Sequence, residues 1–382
     1  MNICYLISNI QSSIGGTERV TMTVSENLEK IGYNVYFIYT KKGNELIPED
    51  KKLNIDYNEG INFLKTEVLS FIEKNEIQVL IVVNRVFQTS KYQELFSFLK
   101  KDSSVKIIAS LHAAPDNWVI KDVWGAVLPK VYLKDLIKKL MFKFKNPHVD
   151  KVLGTYRVVD KYLLLSKSYI MPFKEIYPIE DNGQKLIAIP NPCPFTDVYN
   201  GNGIKENIVL IVSRMQEDQK RIYAALKIWS LLDKKFTDWK LVIVGDGPDL
   251  STYKKIAKRL SHVFFVGHSN NVQDYYKRSK IFIMTSIWEG LPMTLIEAMH
   301  YGCIPVAFDN FAALHDLINN EDTGYIIPNN NIKSFALCLS KLMSDEQLVN
   351  QISQKLIGRP DIFEMKDIVR MWNLEIKKLC KS

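Results

Sequence analysis

Two parallel-sheet α/β domains, each Rossmann-like, are what this sequence predicts, and three observations carry the prediction. Strand-like and helix-like segments alternate along the whole chain, the pattern of sheets covered by helices on both faces. The strand candidates fall into two sets, which fit two domains better than one oversized sheet. Between the sets lies Ile189-Pro-Asn-Pro-Cys-Pro-Phe195, followed by Asn200-Gly-Asn-Gly203, whose prolines and glycines disfavour helix and mark a loop.

In the first half, short apolar runs place strands at Asn2–Ser8, Asn34–Thr40, Ile77–Val83, Val105–Ser110 and Lys161–Leu165. In the second half they fall at Asn207–Ser213, Trp239–Val244, His262–Val266, Lys280–Thr285 and Cys303–Ala307. The expected division is a first domain over 1–188, a linker over 189–206 and a second domain over 207–360. The last segment, Glu364 to Leu379, carries Ile368, Met371, Trp372, Ile376 and Leu379 at helical spacing and is expected to pack as a terminal helix.

With 382 residues, 47% hydrophobic and 24% charged, the chain is long enough for two domains and is not of disordered composition. Its five cysteines (Cys4, Cys193, Cys303, Cys338, Cys380) show no metal-ligand or redox spacing, which fits a reducing cytosol. The amino-terminal residues read as a first strand rather than a signal peptide. No apolar stretch approaches the roughly 20 residues of a membrane span, so a soluble or peripheral cytoplasmic protein is expected. A formal charge of +8 suits an anionic partner, whether nucleotide, lipid surface or nucleic acid.

One stretch departs from the rest. Lys121 to Lys151 holds eight lysines against three aspartates. Leu128, Tyr132, Leu136, Leu140 and Phe144 recur every four residues, widened by Val131, Leu133, Ile137 and Met141, with Lys130, Lys134, Lys138, Lys139 and Lys143 opposite. A basic amphipathic helix of this kind lies on an anionic membrane. An ordinary domain helix with solvated lysines has the same pattern.

The strand-end loops hold the chemistry, because open α/β sheets bind ligands beyond the carboxyl ends of their strands. Glu289-Gly-Leu-Pro-Met-Thr-Leu-Ile-Glu297 follows one strand and opens a helix with Pro292 at its first position. The amides of Met293 and Thr294 are expected without helical partners, an anion site with Glu289 at its mouth and Glu297 a turn inside. The plain alternative is a βαβ crossover with two solvated glutamates. Arg214 and Lys220, in Ser213-Arg-Met-Gln-Glu-Asp-Gln-Lys-Arg221, are placed to neutralise a diphosphate. Gly15 and Gly16, after the first strand, allow close backbone approach to a ligand. The turns at Val244-Gly-Asp-Gly-Pro248 and Val266-Gly-His-Ser-Asn-Asn-Val272 leave room for a flat base or ribose, or are simply turns. His112 closes a strand of the first half. No Asp-x-Asp stands at these strand ends, so no metal site and no cofactor are expected.

Taken in order, Gly15-Gly16-Thr17-Glu18-Arg19, His112, Asn191-Pro192, Arg214 with Lys220, Gly245-Asp246-Gly247 and Glu289-Gly290-Leu291-Pro292 through Glu297 resemble the group 1, family-4 type retaining glycosyltransferases. The resemblance implies the GT-B fold, two Rossmann-like domains facing each other across a cleft, and a final helix over 361–382 crossing back to the first domain. It implies a metal-independent, retaining transfer of a hexose or N-acetylhexosamine from a nucleotide sugar, UDP-linked by preference, to a glycan acceptor. Its relatives in capsular, O-antigen and exopolysaccharide synthesis imply a lipid-linked acceptor at the inner face of a membrane.

Residue by residue, the resemblance gives Arg214 and Lys220 the leaving diphosphate, Gly290, Leu291, Met293 and Thr294 the donor sugar and phosphates, Glu289 the sugar hydroxyls and Glu297 the ribose. It puts Gly245, Gly267 and Val272 around the nucleotide, Gly15 and Gly16 on the acceptor side with Gly16 also reaching the donor, and His112 near the donor sugar. Two places depart from the pattern: Arg221 stands where glycine is common, and Asp309-Asn-Phe-Ala-Ala-Leu-His-Asp316 replaces a Gly-Pro turn. Other readings are a catalytically silent nucleotide- or glycan-binding partner subunit, a Rossmann oxidoreductase, which the absent GxGxxG opposes, and a nucleic-acid binder, which lacks stacking platforms.

Overall fold

The computed structural model describes residues 1–10, 16–41, 44, 46–56, 58–83, 87, 89–116, 127–142, 147–181, 183–195, 197, 199–201, 203–357 and 363–381. The strands are β1 (Asn2–Ile7), β2 (Asn34–Tyr39), β3 (Lys52–Asn54), β4 (Val79–Val83), β5 (Lys106–Leu111), β6 (Lys161–Leu164), β7 (Leu186–Ala188), β8 (Glu206–Val212), β9 (Lys240–Val244), β10 (Val263–Gly267), β11 (Ser279–Met284), β12 (Ile304–Phe308) and β13 (Tyr325–Ile327). The helices are α1 (Gly16–Lys30), α2 (Ile61–Lys74), α3 (Ser90–Asp102), α4 (Pro129–Phe142), α5 (Pro147–Val158), α6 (Ile170–Ile176), α7 (Glu217–Lys220), α8 (Ile222–Trp229), α9 (Leu250–Ala257), α10 (Val272–Arg278), α11 (Met293–His300), α12 (Leu314–Leu317), α13 (Ile332–Ser344), α14 (Glu346–Ile357) and α15 (Met365–Lys381).

The chain divides into two compact units: residues 1–116, 146–194 and 363–382 in the first, and 117–145 with 195–362 in the second. The first sheet runs β3-β2-β1-β4-β5-β6-β7 and the second β10-β9-β8-β11-β12-β13. Every pairing is parallel. Both orders step outward from a central strand and then reverse, the doubly wound arrangement that opens a ligand crevice where the order changes. The reversal falls between β1 and β4 in the first unit and between β8 and β11 in the second.

Burial explains why these segments are strands. The residues of β4, β11 and β12 are buried without exception, as continuous apolar runs covered on both faces must be. The sequence pattern missed β3, β7 and β13, each three residues long, too short to give a period. In the first unit, α15 buries Ile368, Val369, Trp372, Ile376 and Leu379. Tyr33, just before β2, donates its hydroxyl to Asn373 Oδ1 at 2.8 Å.

The basic stretch does not lie wholly in the first domain, as 1–188 would place it. It holds α4 and the first residues of α5, and residues 117–145 group with the second unit. The reason is a set of contacts distant in sequence: the Leu128 amide donates to Glu217 Oε1 at 3.3 Å, Lys130 Nζ reaches Asp249 Oδ1 at 3.3 Å, and Val127 packs with Ile287. Leu128 and Val131 are buried, whereas Leu133 and Ile137 stay 58% and 51% exposed. The side chains of Leu136, Lys138, Lys139, Leu140, Met141, Lys143 and Phe144 lie outside the described residues.

Candidate active site

The reversal between β8 and β11 gathers the residues that the sequence singled out in the second unit. The chain leaves β8 at Val212, turns through Arg214 and reaches Lys220 at the end of α7. It leaves β11 at Met284, and five residues later places Glu289 beside that lysine. Lys220 Nζ lies 2.6 Å from Glu289 Oε1, and Gln219 Nε2 reaches Glu289 Oε2 at 3.3 Å and the Trp288 carbonyl at 3.2 Å. The Ile287 amide donates to the Gln219 carbonyl at 2.8 Å. The two loops are therefore knitted together, main chain and side chain. Glu289 is buried, so its charge is met by Lys220 rather than by water. Arg214 is exposed at the same end of the sheet.

Beyond Glu289 the chain enters α11, with Pro292 as the residue before the first helical position rather than the first itself. The Met293 amide is not free, as the sequence suggested; it turns back to the Leu291 carbonyl at 2.9 Å. Leu295 and Ile296 both donate to the Pro292 carbonyl. Among the described residues no protein group accepts from the Thr294 amide, so that amide is left open to an acceptor from outside the helix. Leu291 is buried and Gly290 half-buried. Glu297 is buried inside α11, where it accepts from the Tyr276 hydroxyl at 2.8 Å. The sequence reading left out that tyrosine, since a tyrosine twenty-one residues upstream carries no motif.

The glycine turns do different things. Gly245 has φ +132°, and a Cβ there would stand 1.9 Å from the Ser213 carbonyl oxygen; Gly247 has φ +155° and the same conflict with Met215 at 2.7 Å. Both glycines let the β9 turn lie directly on the turn after β8, sealed by Met215 N to Asp246 O at 2.8 Å. Their role is close backbone packing behind Arg214. Gly267, at the end of β10, has open space around it, and Val272 begins α10, half-buried.

Glu217 went unremarked in the sequence because a glutamate in a charged run reads as solvated. It is fully buried, accepting from the Leu128 and Tyr223 amides at 3.3 and 3.1 Å and from the Tyr253 hydroxyl at 2.9 Å. Burial pushes its carboxyl up to about 7 against these hydrogen bonds.

In the first unit, His112 follows β5 directly. Burial draws its imidazole down to about 4, and Nδ1 has no partner among the described residues. The ring's surroundings include Tyr5, Thr21, Ser110, Asn191 and Trp372 around a small pocket. Gly16 opens α1, exposed, with room for a side chain. Gly15 lies outside the described residues. Among the described residues no cluster of His, Cys, Asp and Glu is placed to hold a metal ion.

Residues 199–357 match the family model of Glycosyl transferases group 1, over the unit that holds this site. Over that unit the chain resembles the group 1 glycosyltransferases. It is 28% identical over 377 residues to an uncharacterized glycosyltransferase of Haemophilus influenzae, covering 97% of this chain and 98% of the relative. It is 28% identical over 374 residues to the amylovoran biosynthesis glycosyltransferase AmsD of Erwinia amylovora, covering 96% and 97%. A Campylobacter jejuni alpha-1,4-N-acetyl-D-galactosaminyltransferase, named for a diphospho-undecaprenol-linked saccharide, is 24% identical over 394 residues, covering 97% of each chain.

Solved structures agree on the fold. The lipopolysaccharide outer core galactosyltransferase WaaB has a TM-score of 0.72 at 20% identity over 99% of each chain. Anabaena HepE in complex with UDP has a TM-score of 0.72 at 13% identity, covering 99% of this chain and 100% of that one. The chain thus has the GT-B fold of two Rossmann-like units.

The structure shows why glycine is common at the position that Arg221 holds. That residue sits at φ +51°, the left-handed conformation for which glycine is favoured.

Proposed function

We propose that this glycosyltransferase moves a hexose or N-acetylhexosamine from a UDP-sugar to a lipid-linked glycan in surface polysaccharide synthesis, with retention of the anomeric configuration. The observation that carries the reading is the meeting of Lys220 and Glu289, 2.6 Å apart, at the switch point between β8 and β11. The relatives' names support the polysaccharide and lipid-linked parts, and HepE with UDP supports the nucleotide.

In this reading the donor diphosphate lies against Arg214, Lys220 and the Thr294 amide. The acceptor hydroxyl oxygen attacks the anomeric carbon as the bond to the diphosphate breaks, and the hydroxyl proton passes to the leaving phosphate oxygen. Two cationic side chains and a helix end stabilise the charge that develops there, which supports a reaction without a metal ion. Glu289, held by Lys220 and Gln219, presents its carboxylate to sugar hydroxyls; Glu297, oriented by Tyr276, does so to the ribose. Gly290, Leu291, Gly267 and Val272 shape the surrounding walls, and Gly245 sets the turn behind Arg214.

The acceptor's lipid explains the α4 surface. Leu133 and Ile137 are exposed beside exposed Lys130 and Lys134, the pairing of apolar anchors with basic residues that suits an anionic lipid surface. No helix among the described residues is long and apolar enough to cross a membrane.

A thermal-shift screen of nucleotide sugars finds the donor, since a ligand at 100 times its Kd stabilises by about 2.7 kcal/mol. Product formed from that donor and a diphospho-undecaprenol-linked saccharide, in EDTA, should show the donor's anomeric configuration by NMR. An inverted product would refute retention, and loss of activity in EDTA restored by a divalent ion would refute metal independence.

A further inference from the structure

Arg221 follows Lys220 directly and is built at a cost. A left-handed non-glycine residue loses roughly 1–2 kcal/mol, and a guanidinium taken out of water loses more unless it is well met. Arg221 does both: φ is +51° and the side chain is fully buried. Its guanidinium lies 5.1 Å from the centre of the Phe308 ring, the last residue of β12. Nη1 reaches Asn329 Oδ1 at 3.4 Å, two residues beyond β13. Nε and Nη2 have no protein acceptor among the described residues.

The main chain at the same point is tied to a third strand. The Thr285 hydroxyl, just past β11, lies 2.9 Å from the Lys220 carbonyl and 3.0 Å from that of Arg221. The α7–α8 junction is therefore anchored to the carboxyl ends of β11, β12 and β13 together. Arg221 supplies two of those three anchors. The group delivered from the junction is the Lys220 ammonium.

We propose that Arg221 is a positioning residue for Lys220: its guanidinium, set on Phe308 and Asn329, fixes the backbone from which the lysine reaches the donor diphosphate. The proposal rests on the assignment of Lys220 to the diphosphate. It also gives the departure from glycine a purpose. Glycine would adopt φ +51° without strain but would leave the junction tied to β11 alone.

The test measures what the second phosphate contributes. Wild type, R221G, K220A and the double variant are titrated calorimetrically with UDP and UMP, dTDP and dTMP, GDP and GMP, and ADP and AMP, taking the pair that wild type binds. The preference for diphosphate over monophosphate should fall about tenfold in R221G, about as far in K220A, and no further in the double variant. Monophosphate affinity should stay within about twofold of wild type.

Equal weakening of both nucleotides in R221G, an unchanged preference, or additive losses in the double variant would each overturn the proposal. If R221G does not fold, Phe308→Leu removes the ring beneath the guanidinium and should lower the same preference to a smaller extent; a folded Phe308→Leu with full preference overturns it equally. An unchanged preference in K220A sinks the assignment of Lys220 instead. Failure of every pair to bind sinks the nucleotide-sugar reading, and this proposal with it.

Discussion

Replacing Glu217 by Gln should change how the second unit's stability depends on pH. The carboxyl is fully buried beside Arg221 and held by the Leu128 and Tyr223 amides and the Tyr253 hydroxyl. Asp249 lies on the other side, accepting from the Glu217 amide at 2.9 Å. Burial raises the carboxyl from 4.5 to about 7. Its folded form thus holds a proton that the unfolded form has released between those values. The stability this proton contributes is fully present below pH 4.5 and is lost as pH rises through about 7. Complete ionisation removes about 3 kcal/mol, which in a unit of roughly 200 residues is worth about 2–4 °C per kcal/mol. Scanning calorimetry of wild type and E217Q at pH 5 and pH 8 reads the difference. Wild type should lose several degrees more than E217Q between the two; parallel losses, or a wild type that gains relative to E217Q, would refute the argument.

Further substitutions test other parts of the account. Gly245→Ala sets a methyl group against the Ser213 carbonyl oxygen at φ +132° and should destabilise by more than about 3 kcal/mol, measured by urea unfolding; a mild effect would mean that the β9 turn has room to move. Leu133→Glu with Ile137→Glu removes two exposed apolar side chains from α4, so stability should hold within about 0.5 kcal/mol while sedimentation with anionic vesicles is lost. Retained sedimentation would contradict the lipid-surface reading. Tyr276→Phe takes one hydrogen bond from buried Glu297 and should cost about 1–3 kcal/mol of UDP affinity or of stability; no change in either would leave Glu297 without the orienting role given to it.

The sequence made the long central strands legible because each is an apolar run buried on both faces, as in β4, β11 and β12. The three-residue strands β3, β7 and β13 escaped because so few residues carry no period. The spacing of Arg214, Lys220 and Glu289 points to a candidate site, yet it gives no hint that Lys220 and Glu289 pair with each other. That contact comes from the strand order, which sets β8 beside β11 across sixty-odd residues of chain. The placement of α4 was also beyond pattern reading. Its amphipathic spacing is local, whereas its attachment is made by Glu217, Asp249 and Ile287, all far along the chain. Glu217 itself looked solvated because nothing in a run of charges announces burial.

Turnover of the identified UDP-sugar by wild type, Glu289→Gln and Lys220→Ala, with a diphospho-undecaprenol-linked saccharide as acceptor, tests the central claim most directly. Each substitution removes one side of the 2.6 Å pair at the β8–β11 switch point. Turnover should fall by about 10²–10³ in both variants, with the folded state intact by calorimetry. Folded variants that transfer sugar at the wild-type rate would contradict the assignment of this pair as the donor site.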